Sequence, residues 1–173
     1  MNKAISIDEA IDKIIENYSK NIKGAVEYAS NKAVEDIYKY AFNCLDMYYA
    51  NYEPNIYNRT DHLGDAILPY AEKIKQTKKH ITSTVGVQYD PTPLEGIYYG
   101  SKKYNPADGQ WILENYLKGV HPATNGGRTP ETTVYYEIVD EASPYSLMEE
   151  YLRTTATEMY RGRIIEYLIT TLK

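Results

Sequence analysis

Residues 6–51 read SIDEAIDKIIENYSKNIKGAVEYASNKAVEDIYKYAFNCLDMYYAN. Within them Ile7, Ile11, Ile14, Tyr18, Ile22, Val26, Ala29, Ala33, Ile37, Ala41, Leu45 and Tyr48 follow one another at steps of three or four. That spacing keeps one face of an α-helix apolar. The stripe lasts about eleven turns and, at 1.5 Å per residue, makes a rod roughly 60 Å long. A compact body of 173 residues has a radius of gyration of about 16 Å and hence a diameter of about 40 Å. The rod is longer than the body it belongs to. Either it breaks, or another chain covers part of its stripe.

The ends of this helix are legible. Ser6 and Glu9 form a capping box, with Asp8 and Glu9 favoured by the dipole in the first turn. Pro54 disfavours helix at Glu53, so the rod should stop near Asn51. Gly24 costs about 1 kcal/mol relative to Ala in a helix interior and marks the expected bend.

Beyond a turn-rich link at 51–60, Thr60 or Asp61 can cap a short helix carrying Leu63, Ala66, Ile67 and Leu68, interrupted by Pro69; Tyr70 to His80 is expected to continue irregularly. Residues 81–89 alternate, with Val85 and Val87 on one face, and predict a strand. Residues 90–108 read as a long loop with an apolar patch at Ile97, Tyr98 and Tyr99. Gln110 to Leu117 has helical spacing and Gly119 is a natural stop. Residues 121–131 read as a flexible loop, and 132–139 as a second strand. Ser143-Pro144 and Ser146 with Glu149 announce the last helix, striped by Met148, Leu152, Ala156, Met159, Ile164, Leu168 and Leu172.

The expectation is one α+β domain over 1–173. Its long N-terminal helix (1–51) and C-terminal helix (143–173) pack on a small β-sheet, with short helices, strands and long loops between (52–142).

Composition narrows the function. Net charge is −5, which opposes a broad phosphate-binding face. Lys73, Lys75, Lys78 and Lys79 cluster, as on a solvated helix face. The lone Cys44 excludes an internal disulfide and a cysteine-based zinc site, and beside Leu45 it reads as a small buried hydrophobe. No apolar run reaches the ~20 residues that span a bilayer, and Met1 to Glu9 is too mixed for a secretory signal, so a soluble chain made in a reducing compartment is expected. Twenty Tyr stand against one Phe and one Trp. A tyrosine ring wants burial and its hydroxyl wants a partner, which favours half-wet surfaces; an AT-rich genome produces the same bias.

No catalytic set is visible. His62, His80 and His121 lack metal-helix spacing. Asp61 and Asp65, an i, i+4 pair able to hold a hard cation, are equally N-terminal helix acids. Gly126-Gly127-Arg128 lacks the Lys-Ser/Thr of a phosphate loop and leads into a strand. No catalytic residue, cofactor or metal ligand is therefore assigned.

After the long helix, residues 52–68 read YEPNIYNRTDHLGDAIL. This arrangement resembles the neck or tail-completion (head–tail joining) proteins of long-tailed bacteriophages, with Pro54, Tyr57, Arg59, Thr60 and Leu63 at the matching positions and Asp61 where the family carries a glycine. Trp111-Ile112-Leu113-Glu114 followed by Gly119-Val120-His121 is a second similar feature. The tyrosine-rich form looks like versions from phages of low-GC Gram-positive or gut bacteria.

The resemblance implies a non-enzymatic virion subunit, made in the host bacterial cytoplasm. It would form a homo-oligomeric ring between the portal, adaptor or head-completion proteins and the tail terminator or tube, with DNA only as passing cargo and no membrane partner. A ring subunit needs heterologous surfaces, and an acidic channel wall lets phosphates slide past. The candidate interface residues are Ile7, Ile11, Ile14, Tyr18, Tyr57, Arg59, Thr60, Leu63, Tyr98, Tyr99, Trp111 and His121. The alternative is a small non-enzymatic adaptor or regulatory protein whose N-terminal helix docks into a partner. A third reading, a hydrolase or nuclease, would rest on Asp61, His62 and Asp65.

Overall fold

A computed structural model describes residues 7–50, 62–77, 80–95, 109–124, 133–137 and 143–171; of Asp8, Trp111 and residues 120–124 and 133–137 it describes the backbone alone. Helix α1 (Ile7–Ala50) is one unbroken α-helix of 44 residues, about 65 Å long. It is followed by α2 (His62–Asp65), β1 (Ile67–Ala71), β2 (Lys75–Gln76), β3 (Ile81–Thr82), β4 (Val85–Tyr89) and a 3-10 turn (Thr92–Leu94). Then come α3 (Gly109–Lys118), β5 (Val120–Thr124), β6 (Thr133–Glu137), α4 (Pro144–Tyr151), a π turn (Leu152–Ala156) and α5 (Thr157–Thr171). The fold is α+β. Its strands make three separate antiparallel ribbons, β1–β4, β2–β3 and β5–β6, instead of one small sheet.

Several expectations need correction. Ile67 and Leu68 leave the short helix and enter β1, which pairs Ile67 with Tyr89 and Pro69 with Val87. Pro69 has no N–H to donate, and a two-stranded ribbon leaves a free edge where none is needed. The irregular stretch to His80 holds the hairpin β2–β3, so the Lys73–Lys75 cluster sits on a ribbon and not on a helix face; Lys78 and Lys79 lie outside the described residues. The single strand over 81–89 is split at Ser83-Thr84. His121 to Thr124, expected as loop, form β5 against β6; residues 125–130 lie outside the described residues.

Two chain signals act as read. Gly119 has φ 69°, the left-handed geometry that ends a helix without a Cβ clash. Ser143 caps α4, its hydroxyl accepting from the Ser146 N–H at 3.2 Å with Pro144 in the first turn. Ser6 and the proposed capping box lie outside the described residues.

The core is gathered on the C-terminal part of α1, from Ala33 to Tyr48. Ala33, Ile37, Ala41, Cys44, Leu45 and Tyr48 pack with Ala66, Ile67, Leu94, Ile112, Leu113, Tyr116 and Met148. Val85 and Val87 both turn toward this cluster, as their alternation required. The Tyr116 hydroxyl is buried with no partner among the described residues, a cost of about 1–3 kcal/mol set against the packing of its ring edge-on to Tyr48 at 5.1 Å.

Helix α5 runs back along α1. Tyr151 stacks on Tyr40 at 3.9 Å between centroids, Arg163 pairs with Asp36, and Tyr167 lies 5.6 Å from Tyr28. The buried Ser30 hydroxyl donates to the Val26 carbonyl at 2.6 Å. Its one proton is then spent, so Ser83 and Tyr160 donate to it, at 2.7 and 3.3 Å. One serine thereby ties α1 to α5 and to the residue between β3 and β4.

The expected stripe of the last helix is broken at the π turn. Thr157 Oγ1 donates to the Leu152 carbonyl at 2.8 Å and Thr154 Oγ1 to that of Glu150 at 2.7 Å, local bonds that compete with the α-helical ladder. The extra residue rotates everything after it. The covered face therefore steps by five from Tyr151 to Ala156 and continues through Tyr160, while Leu152 and Met159 are left exposed.

Gly24 does not bend α1; it lets α5 come close. A Cβ there would stand 2.6 Å from Tyr167 Oη and 3.2 Å from its Cζ. Gly-to-Ala in a helix interior ordinarily gains about 1 kcal/mol. In urea unfolding, Gly24→Ala should gain well under that, and in a Tyr167→Ala background it should recover the full amount. Equal effects in both backgrounds would mean that the two residues do not touch.

Candidate assembly interface

The α1 stripe changes environment part-way along. Val26, Ala29, Ala33 and Ile37 are buried, Ile37 to 3% exposure. On the same face, Ile7 is 79% exposed, Ile11 48%, Ile14 56%, Tyr18 59% and Ile22 44%, with Ile15 beside them at 61%. The apolar pattern is continuous while its cover stops. The reason is geometric. Helix α5 ends at Thr171, one turn past the residue that meets Gly24. The β2–β3 ribbon reaches α1 at Ser19, whose Oγ accepts from Gln76 Nε2 at 2.8 Å. Residues 7–18 project past both.

Each aliphatic side chain carries roughly 100 Å² of apolar surface, so the bare stripe amounts to on the order of 350 Å². Scattered over a surface, that area would mean little; as one straight continuation of the core seam it makes a candidate interaction site. Around the helix the charges Glu9, Asp12, Lys13, Glu16 and Lys20 avoid the stripe, making the segment amphipathic in its own right.

The other candidate residues divide as follows. Leu63 is half-buried at the end of α2 and packs on the chain's own core. Trp111 stands in α3 and His121 in β5. Tyr57, Arg59, Thr60, Tyr98 and Tyr99 lie outside the described residues, as does Asp61. His62 Nδ1 sits 3.2 Å from Asp65 Oδ2 in an exposed pair within α2. Among the described residues no group of three or more His, Cys, Asp or Glu could hold a metal ion, and no helix is long and apolar enough to cross a membrane.

A second bare surface escaped the sequence reading. Ile165 and Ile169 on α5 are 58% and 55% exposed, and open space lies over Gly162. The expected stripe ran through Ile164 and Leu168, both half-buried, and left Ile165 and Ile169 off the inner face without giving their side of the helix any role. The free thiol of Cys44 is buried within the core, and burial pushes its pKa up to about 11; it is a packed side chain and not a nucleophile. Tyr89, also buried, is pushed up to about 12.

No protein-family model, no curated protein and no solved structure matches this chain.

Two outcomes follow from these environments. Ile14→Asp should change the unfolding free energy by less than about 0.5 kcal/mol, whereas Ile37→Asp, an unpaired charge in the core, should cost more than about 4 kcal/mol or prevent folding. A large loss at Ile14 would mean that the overhang is covered within the monomer.

The raised acid groups keep their protons in the fold while the unfolded chain releases them first. Their contribution is complete below the unfolded pKa and is lost as pH climbs to the folded value. Stability should therefore fall from about pH 9 to about pH 11 through Cys44, with Tyr89 joining above pH 10. Urea midpoints across this range, with and without Cys44→Ala, measure the thiol's share. A flat profile between pH 9 and 10 would contradict it.

Proposed function

We propose that this chain is a structural assembly subunit of a phage neck, joining the portal or head-completion complex to the tail as one member of a homo-oligomeric ring. The observation that carries the reading is the uncovered N-terminal third of α1. A helix that projects its apolar face past the end of its own body needs a neighbour to finish the burial. The element order supports the same reading: a long helix, a turn-rich link carrying Pro54, Arg59 and Thr60, a ribbon, and a closing helix. A net charge of −5 suits a wall past which DNA moves without sticking.

The adaptor alternative shares the exposed helix and differs in its partner. Purified virions separate the two. Cryo-EM should place this chain in a ring at the neck, and a virus carrying Ile11→Asp together with Ile14→Asp should yield heads and tails that fail to join. Particles that lack the chain, or that join normally with the double variant, would overturn the reading.

A further inference from the structure

The neck reading leaves open what covers the overhang, and the following answer rests on that reading. We infer that the N-terminal overhang of α1, residues 7–18, docks on the outer face of α5 of a second copy, beside Gly162, Ile165 and Ile169.

The chain carries two bare apolar surfaces that cannot meet within one molecule. Tyr160 and Tyr167 of α5 face α1. Ile165 and Ile169 are each two residues from Tyr167, about 200° around the helix, and so point away from α1. A contact between two different surfaces of one chain is heterologous and propagates from copy to copy, as a ring requires. The surfaces also match in length. The overhang from Ile7 to Tyr18 and the α5 face from Glu158 to Ile169 both run about 17 Å at 1.5 Å per residue. Gly162, where a Cβ would meet no described atom within 4 Å outside its own stretch of helix, offers a shallow spot in which an incoming isoleucine can seat.

Charge decides between this pairing and a contact of two overhangs. Asp12 borders one side of the α1 stripe, with Asn17 and Asn21 on the other. Two overhangs packed antiparallel about a two-fold axis would set Asp12 against its own copy. On α5 the corresponding border is Arg161, 66% exposed and paired with the similarly exposed Glu158 at 2.7 Å. An exposed pair of this kind is worth about 0–1 kcal/mol and exchanges partners readily. A parallel alignment of the overhang with the neighbour's α5 brings Asp12 to Arg161.

The bare areas place the contact in the small, transient class below about 1,200 Å² in total, so crosslinking is the suitable test. Ile14→Cys and Ile165→Cys variants are mixed, oxidised, digested and analysed by mass spectrometry; Cys44 is buried and does not compete. The 14–165 crosslink should exceed the 14–14 and 165–165 products several-fold. Asp12→Arg on the first variant, or Arg161→Glu on the second, should each cut its yield at least threefold, and the two together should restore it. Dominance of the 14–14 product would assign the overhang to self-pairing, and no crosslink above that of urea-unfolded chains would assign it to another protein; either overturns the inference. Neither touches the neck reading, which stands or falls on the presence of the chain in virions.

Discussion

The structure depends on a mismatch of lengths. An unbroken helix of 44 residues runs about 65 Å, while everything else that packs on it gathers along its C-terminal part. The core residues contributed by α1 begin at Ala33 and end at Tyr48, and the seam with α5 extends the covered stretch back to Gly24. The β2–β3 ribbon touches the rod once more at Ser19, and beyond it the same amphipathic pattern continues uncovered by any of the described residues. Burying apolar area is the main favourable term in folding and in association alike. A face prepared for burial and left bare therefore stores its contribution for a second event.

Polar and aromatic contacts help to tie the rest of the body, α4 and α5 included, to α1. Ser30 accepts from both Ser83 and Tyr160, Asp36 meets Arg163, and Tyr40 stacks flat on Tyr151. This is where the unusual tyrosine content is used. Tyr38, Tyr40, Tyr49, Tyr89, Tyr151 and Tyr160 ring the core half-buried, where a large apolar ring packs inward and a hydroxyl can still find a partner. Tyr116 is the exception, wholly inside with its hydroxyl unpartnered. Such a seam is more directional than an aliphatic one, because ring planes and hydroxyl partners fix the angle as well as the distance.

Legibility followed the range of the forces involved. The twelve-residue stripe of α1, the stop at Gly119 and the Ser143 cap are set by neighbours three or four positions away, and each was readable. The strand at Ile67-Leu68 was not, because Pro69 looks like a helix breaker until its pairing with Val87 on a free ribbon edge is known. Nor was the π turn, whose threonine bonds rotate the rest of the last helix and move Met159 from the expected inner face to the outside. At the candidate interface, Ile7, Ile11, Ile14 and Tyr18 follow from periodicity, while the exposure of Ile165 and Ile169 emerges only with the packing of α5 on α1.

The amino-acid sequence by itself settled that a long amphipathic helix opens this chain, that an α+β body follows, and that Cys44 belongs to packing. These are consequences of local spacing and side-chain chemistry. Only the tertiary structure decided where the cover on α1 ends, that Gly24 admits Tyr167 instead of bending the helix, and which face of α5 is bare. Those outcomes turn on how far distant segments reach along one rod, a length that no local pattern encodes.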